Sequence, residues 1–392
     1  MKKITSKSKK SIKDPLKNRY NISQTFEYNK NKGPFEKVKD RNLEISKILK
    51  IYGIRTDFFG YKTNLPIGVA AGPLYNNRYM QAAMKDGFSV ITWKTFRSID
   101  RLAHRSDGKF LGHNIVFLSH ENKFNDDFSS TIVGSKKFEG SRQNVTITNS
   151  FGMPSTNVGI WMSDIAPIEK EAAKKNKLII TSVVGTPRDG ETIQDLANDY
   201  AFTAKCAEIA GATIIELNFS CPNVHGKEGQ IYKDNKNARI IAETVRRSLQ
   251  KETKLLLKVG FATKENYTSF IQQTAAFIDG IVAINTIPMK IVDKKNRQAL
   301  PGGITSGVCG KAIIDKSVEA VRNLVSSRKS LGKEYKRIKI IGCGGVTSPE
   351  AFMSHIDAGA EFVMCATAAL FNPELPVQIA TYLKKNKVNK KI

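Results

Sequence analysis

Thr213-Ile-Ile-Glu-Leu-Asn-Phe-Ser-Cys-Pro-Asn223 decides how the rest of the chain is read. A β-branched run, 213–218, stops at an amide, and a polar loop beginning Ser220-Cys221-Pro222-Asn223 follows at once. Runs of the same kind recur on both sides. Strands are predicted at 67–71, 88–93, 178–184, 213–218, 255–259, 280–285, 338–343 and 362–365. Helical periods fall between several of them, at 193–210, 237–250, 264–277, 316–325 and 349–358. Alternation of strand and helix implies parallel neighbours, because parallel strands need a crossover between them. Eight such strands predict an α/β protein with a (β/α)8 TIM-barrel fold. The rival, a doubly wound open sheet, lacks its G-x-G-x-x-G fingerprint here.

Outside the barrel the chain changes character. Residues 1–50 hold 13 Lys and 2 Arg against 5 acids, so +10 of the total +26 lies there. With few apolar residues at any period, this segment is predicted to be a basic N-terminal extension, mobile or draped on the surface, with at most one helix near 41–52. The barrel domain is expected over 51–380 and a short basic tail over 381–392. Residues 97–177, between the second and third strands, exceed one loop and one helix. An insertion at a strand's C-terminal end lies over a barrel's mouth, so this one is expected to shape the pocket. The five cysteines include no C-x-x-C pair, which argues against a disulfide framework, a zinc site or an iron–sulfur cluster. No run approaches the roughly 18 apolar residues of a membrane span. A reducing, cytoplasmic compartment is the simplest expectation. The positive charge suits anionic partners, but aromatic residues do not interleave with the lysines as in a nucleic-acid groove, so nucleic acid is not the expected partner.

Several strand ends carry side chains with chemical uses. Lys94 and Lys258 close strands that are otherwise apolar, where a desolvated ammonium requires an anionic partner. Gly344 and Gly345, followed by Ala366 and Thr367 after the eighth strand, lie where barrels bind phosphate, and lacking side chains the glycines let backbone N–H groups approach. Asn149, Asn218, Asn223 and Asn285 each offer a donor and an acceptor. Cys221 differs from an ordinary core cysteine by sitting in a polar loop at a strand end. A free thiol titrates near ~8.5, so it needs nearby positive charge and exclusion of water to act near neutrality. The loop 224–232, with two glycines, is a candidate lid.

The octet Glu216-Leu-Asn-Phe-Ser-Cys-Pro-Asn223 resembles the signature of the dihydroorotate dehydrogenase family, and further segments resemble that family in the same order. They are Ile67-Gly-Val-Ala-Ala-Gly72, Thr92-Trp-Lys-Thr95, Asn149-Ser-Phe-Gly-Met-Pro154, Leu256-Leu-Lys-Val259, Ile284-Asn-Thr286, the stretch holding Gly307 and Lys311, Gly342-Cys-Gly-Gly345, and Ala366-Thr367. The resemblance covers about 65–375 and is to the class with a cysteine base. It implies FMN held by Ala70, Ala71, Gly72, Lys94, Thr95, Lys258, Gly307, Gly344, Gly345, Ala366 and Thr367. It implies a dihydropyrimidine recognised by Asn149, Asn218, Asn223, Asn285 and Thr286, with Cys221 and Lys94 catalytic and no metal.

The implied reaction is oxidation of dihydroorotate to orotate, a step of pyrimidine biosynthesis. The Cys221 thiolate would take a proton while hydride passes to flavin N5. A soluble acceptor or a separate electron-transfer subunit is expected, and related enzymes pair as homodimers. Gly310 before Lys311 and Trp93 before Lys94 depart from the family pattern and bear on the exact substrate. A tRNA dihydrouridine synthase is the main competing reading. Against it, the loop reads S-C-P-N, and little chain follows the eighth strand to form a helical RNA-binding domain. A dihydropyrimidine dehydrogenase shares the loop but brings iron–sulfur cysteines.

Overall fold

The computed structural model describes residues 19–35, 37–119, 128–138, 140–220 and 230–392. Eight strands close into a barrel: β1 (Ile67–Val69), β2 (Val90–Thr92), β3 (Leu178–Val183), β4 (Ile214–Asn218), β5 (Lys254–Val259), β6 (Gly280–Ala283), β7 (Lys339–Cys343) and β8 (Phe362–Cys365). Each pairs in parallel with its sequence neighbours, and β8 returns to β1. These are the eight runs predicted from sequence, most trimmed by a residue or two. Helices cover the outside, and several of them were not predicted: Asn77–Asp86 after β1, Val158–Lys174 after β2, and Thr367–Phe371 and Leu375–Lys385 after β8.

The strands are buried on both faces, which is why they read as near-continuous β-branched runs. Inward positions alternate. Val90, Ile180, Ile214, Leu256, Val282, Ile341, Phe362 and Met364 fill the barrel as an apolar plug. Phe58, from the hairpin Gly53–Phe58 and Tyr61–Thr63, joins this plug, with its ring 4.8 Å from that of Phe362. The tail is partly ordered by pairing: Asn389–Lys391 runs parallel to Gly53–Phe58.

The insertion after β2 is only half of what stands above the barrel. Its strands Ile115–Leu118, Thr131–Val133 and Thr146–Asn149 combine with Ile287–Val292 and Thr305–Gly310, which leave the barrel after β6. Together they form one five-stranded sheet. The second excursion adds two strands that are not among the eight runs predicted from sequence. Its antiparallel pairing of Gly307 with Asn149 joins segments far apart in the chain, which local sequence cannot register.

The N-terminal extension holds two helices where at most one was expected. Residues 1–18 lie outside the described residues, but from Arg19 onward the segment is docked on the barrel. Tyr20, Ile22 and Phe26 are buried, and helices span Phe26–Lys32 and Asn42–Ile48. The contacts explain it. Tyr20 and Phe26 pack against Tyr75 and Phe151 with ring centroids 5.1–6.0 Å apart. Arg19 and Arg41 both bind Asp86, at 2.7 and 2.8 Å. Burying an aromatic ring contributes about 1.5–3 kcal/mol, so within a lysine-rich segment these few rings are what favours docking.

Candidate active site

In a parallel barrel every strand delivers its C-terminal end to the same face. A cavity there, with about 1050 Å³ between its walls and part of that open to solvent, collects side chains from across the sequence. Ala70, Ala71 and Gly72 come from the end of β1, and Lys94 and Thr95 from beyond β2. Asn218 ends β4, Lys258 lies on β5, and Asn285 and Thr286 follow β6. Gly344 and Gly345 follow β7, Ala366 and Thr367 follow β8, and Asn149 comes from the sheet above. Of the described residues expected to form the site, Gly307 alone stays out of the lining. It sits within its strand, and Cys309 and Gly310 reach the cavity instead. Cys221, Asn223 and the candidate lid up to residue 229 lie outside the described residues.

The polar groups are tied to one another. Asn218 Oδ1 accepts from Asn285 Nδ2 and from the Ser220 N–H, both at 3.3 Å, and its Nδ2 donates to Thr95 Oγ1 at 3.4 Å. The backbone carbonyl of Asn218 accepts from the Tyr200 hydroxyl at 2.9 Å, which fixes the strand end from behind. Ser220 Oγ donates to the Lys258 carbonyl at 3.1 Å, so the loop that leads to Cys221 starts from a fixed point. Asn149 Nδ2 lies 3.7 Å from Cys309 Sγ. The buried Lys94 places its Nζ 5.5 Å from the centre of the Phe151 ring.

Lys258 is buried, and its ammonium donates to Cys343 Sγ at 3.6 Å. Burial alone would drive a lysine toward its neutral form. Cys343 and Glu216 outweigh it and hold the group on the charged side of its ordinary value. Burial pushes the Cys343 thiol up, while the nearby ammonium pulls it part of the way back. Burial also takes the Cys309 thiol up to about 11.

The Gly344–Gly345 turn is held from outside the cavity. The Gly344 carbonyl accepts from Ser317 Oγ at 2.6 Å and from His355 Nε2 at 2.9 Å. Both glycines have positive φ, +115° and +73°, where a side chain is strained. Sequence reasoning missed Ser317 and His355, since their partner is a backbone oxygen. It also missed Cys309 and Cys343 as wall residues and Glu216 beneath the cavity. For Cys343 and Glu216 the signal existed: inward positions on a strand repeat every second residue, which puts Cys343 above Ile341 and Glu216 between Ile214 and Asn218.

Comparison with known proteins places this arrangement. The family model described as dihydroorotate dehydrogenase matches residues 136–386. A dihydroorotate dehydrogenase of Dictyostelium discoideum is 32% identical over 381 residues, covering 94% of this chain and 98% of that protein. The catalytic subunit of a dihydroorotate dehydrogenase B (NAD(+)) from Thermodesulfovibrio yellowstonii is 28% identical over 219 residues, or 55% of this chain and 68% of that one. The crystal structure of DHODH in complex with ferulenol from Eimeria tenella shares the fold, with a TM-score of 0.62, 15% identity and coverage of 86% of this chain and 87% of that one. Among the described residues no helix is long and apolar enough to cross a membrane. An eight-stranded barrel, a polar cavity at its strand ends and a relative matched almost from end to end converge on one assignment: this chain is an oxidoreductase belonging to the dihydroorotate dehydrogenase family.

Proposed function

We propose that this enzyme oxidises dihydroorotate to orotate with FMN in the barrel mouth, as a member of the class that uses a cysteine base. One observation carries the reading: two buried lysines, three asparagines and the Gly344–Gly345 turn, scattered from Lys94 to Gly345 along the sequence, face one cavity. The walls suit a flat group with a polar rim and an anionic tail. A Cβ on Gly72 would meet nothing, so that wall leaves room for a ring edge. Thr286 Oγ1 is buried without a partner among the described residues, as expected of a hydroxyl awaiting a ligand. FMN would lie against Ala70, Ala71, Gly72, Lys94, Thr95 and Lys258, with its phosphate near Gly344, Gly345, Ala366 and Thr367. When bound, it supplies the two-electron acceptor that no side chain provides.

The chain's own residues do the rest. Asn149, Asn218, Asn285 and Thr286, with Asn223 from the loop, present alternating donors and acceptors to the edge of a dihydropyrimidine. Cys221 removes the proton next to the substrate carbonyl, and Ser220, tied to Lys258, sets where that loop begins. Lys258 and Lys94 bring positive charge to the site where negative charge develops. One feature of the relatives extends the proposal. Several are named catalytic subunits, which supports hand-over of electrons to a separate subunit, with a soluble acceptor as the other route. Pairing as a homodimer and a cytoplasmic location complete it.

The test is anaerobic addition of dihydroorotate to the purified protein. A yellow protein whose flavin absorbance bleaches is expected, and Cys221→Ala should slow the bleaching by about 10²- to 10⁴-fold near neutral pH, the usual worth of a positioned base. A yellow protein indifferent to dihydroorotate would discard the substrate. A variant that bleaches at the native rate would discard the base.

A further inference from the structure

Glu216 has no task in the reaction outlined above, yet its position is a costly one for a carboxylate. It points into the barrel from β4, between Ile214 in the apolar plug and Asn218 in the cavity wall, and is 0% exposed. Neither carboxylate oxygen has a hydrogen-bond partner among the described residues. The Ser182 hydroxyl lies near enough to steady it but does not complete a bond. A buried acid in such a place either takes up a proton or is held ionised by a compensating charge; burial pushes the Glu216 carboxyl up, and the Lys258 ammonium pulls it part of the way back.

Three acidic residues are buried among those described: Asp86, Glu216 and Asp293. Asp86 is held by Arg19 and Arg41, and Asp293 by Arg297 at 2.8 Å. Glu216 is left facing Lys258, on the adjacent strand and the same inward face. Lys258 in turn reaches Cys343 and the cavity. The barrel therefore stacks a carboxylate, an ammonium and the proposed ring site along one line of influence.

We propose that Glu216 is a positioning residue that acts through Lys258, offsetting part of the lysine's charge and so holding down the reduction potential of the bound flavin. This rests on the FMN reading given above. A cation beside the ring favours its reduced, negatively charged form, and a buried anion behind that cation weakens the effect. Low dielectric in the plug makes both influences stronger than they are at the surface. Glutamine has the shape of glutamate without its charge, so Glu216→Gln isolates this influence.

The experiment uses the flavin-loaded enzyme at one fixed pH and reads two quantities besides turnover. These are the midpoint potential by dye-equilibrated titration, and the dissociation constant of sulfite, an anion that adds to the ring more tightly where positive charge is near. Glu216→Gln should move the potential in the positive direction and tighten sulfite by about tenfold, the scale of one unit charge felt over roughly 10 Å at an effective dielectric constant of about 20. The same replacement is then made in a Lys258→Met background. With the ammonium gone the buried carboxyl takes up a proton, so Lys258→Met and the double variant should agree in both readouts. This second comparison also serves if the single variant fails to fold. An unmoved potential in Glu216→Gln overturns the proposal, as does a Glu216 effect that persists without the lysine. A protein that purifies without flavin overturns the cofactor reading instead, so the two failures are distinguishable.

Discussion

Replacing His355 with glutamine should remove a defined part of the fold's sensitivity to acid. His355 lies on the helix Pro349–Asp357 and is 0% exposed. Its Nε2 sits 2.9 Å from the Gly344 carbonyl, and because a carbonyl can only accept, Nε2 carries the hydrogen. Nδ1 is buried with no partner among the described residues, so protonation would create an N–H with nothing to receive it. Burial accordingly lowers the imidazole from 6.5 to about 4, with the Gly344 hydrogen bond opposing the shift. Between those values the unfolded chain binds a proton that the folded one refuses. The contribution is complete above about pH 6.5 and drains away as pH falls toward 4. A shift of this size corresponds to about 3 kcal/mol at its limit. Urea unfolding at steps from about pH 7.5 to about pH 4.5 should show native stability falling by that order more than that of His355→Gln. The glutamine amide can still donate to Gly344 but does not titrate. Parallel curves for the two proteins would refute the reasoning.

Two other substitutions test how the cavity is supported. Asp86→Asn leaves Arg19 and Arg41 without their shared carboxylate, and breaking a buried pair in this way costs about 3–5 kcal/mol. Denaturant unfolding should record that loss, and limited proteolysis should show residues 19–35 cut before the barrel; equal protection in both proteins would count against the docking role. At Gly345 a Cβ would run into the Ile314 backbone, reaching 2.7 Å from its nitrogen, at φ +73°. Gly345→Ala should cost at least about 2 kcal/mol and weaken flavin retention on dilution, and native retention would show that the turn has slack.

What could be read from the sequence divides along a physical line. The barrel strands were legible because burial on both faces makes each one a compact β-branched run, a signal contained within the strand itself. The polar site was legible because barrel geometry brings every strand end to one face, so a lysine or asparagine that closes an apolar run announces its position. The sheet over the mouth was not legible. Its strands are no shorter than those of the barrel, but the pairing of Asn149 with Gly307 joins two separate excursions from it. The docking of residues 19–50 was hidden for a related reason. Lysine density dominates the composition there, whereas the binding energy rests on Tyr20, Ile22 and Phe26, which are spaced too irregularly to form a period.

That hidden docking bears on the site itself. Phe151 and Tyr75 line the cavity, and the rings covering them from behind are Tyr20 and Phe26 of the extension. Lys94 lies over the same Phe151 ring. The position of one proposed catalytic lysine therefore depends on packing that begins at the extension and is secured by Asp86, a residue at the far end of the helix Asn77–Asp86. A loosened extension should act on the cavity through ring packing before it acts on global stability, because local opening needs less free energy than unfolding the barrel. Asp86→Asn should accordingly change catalysis at denaturant concentrations where the barrel is still intact. Loss of activity only in step with loss of the barrel would sever that link.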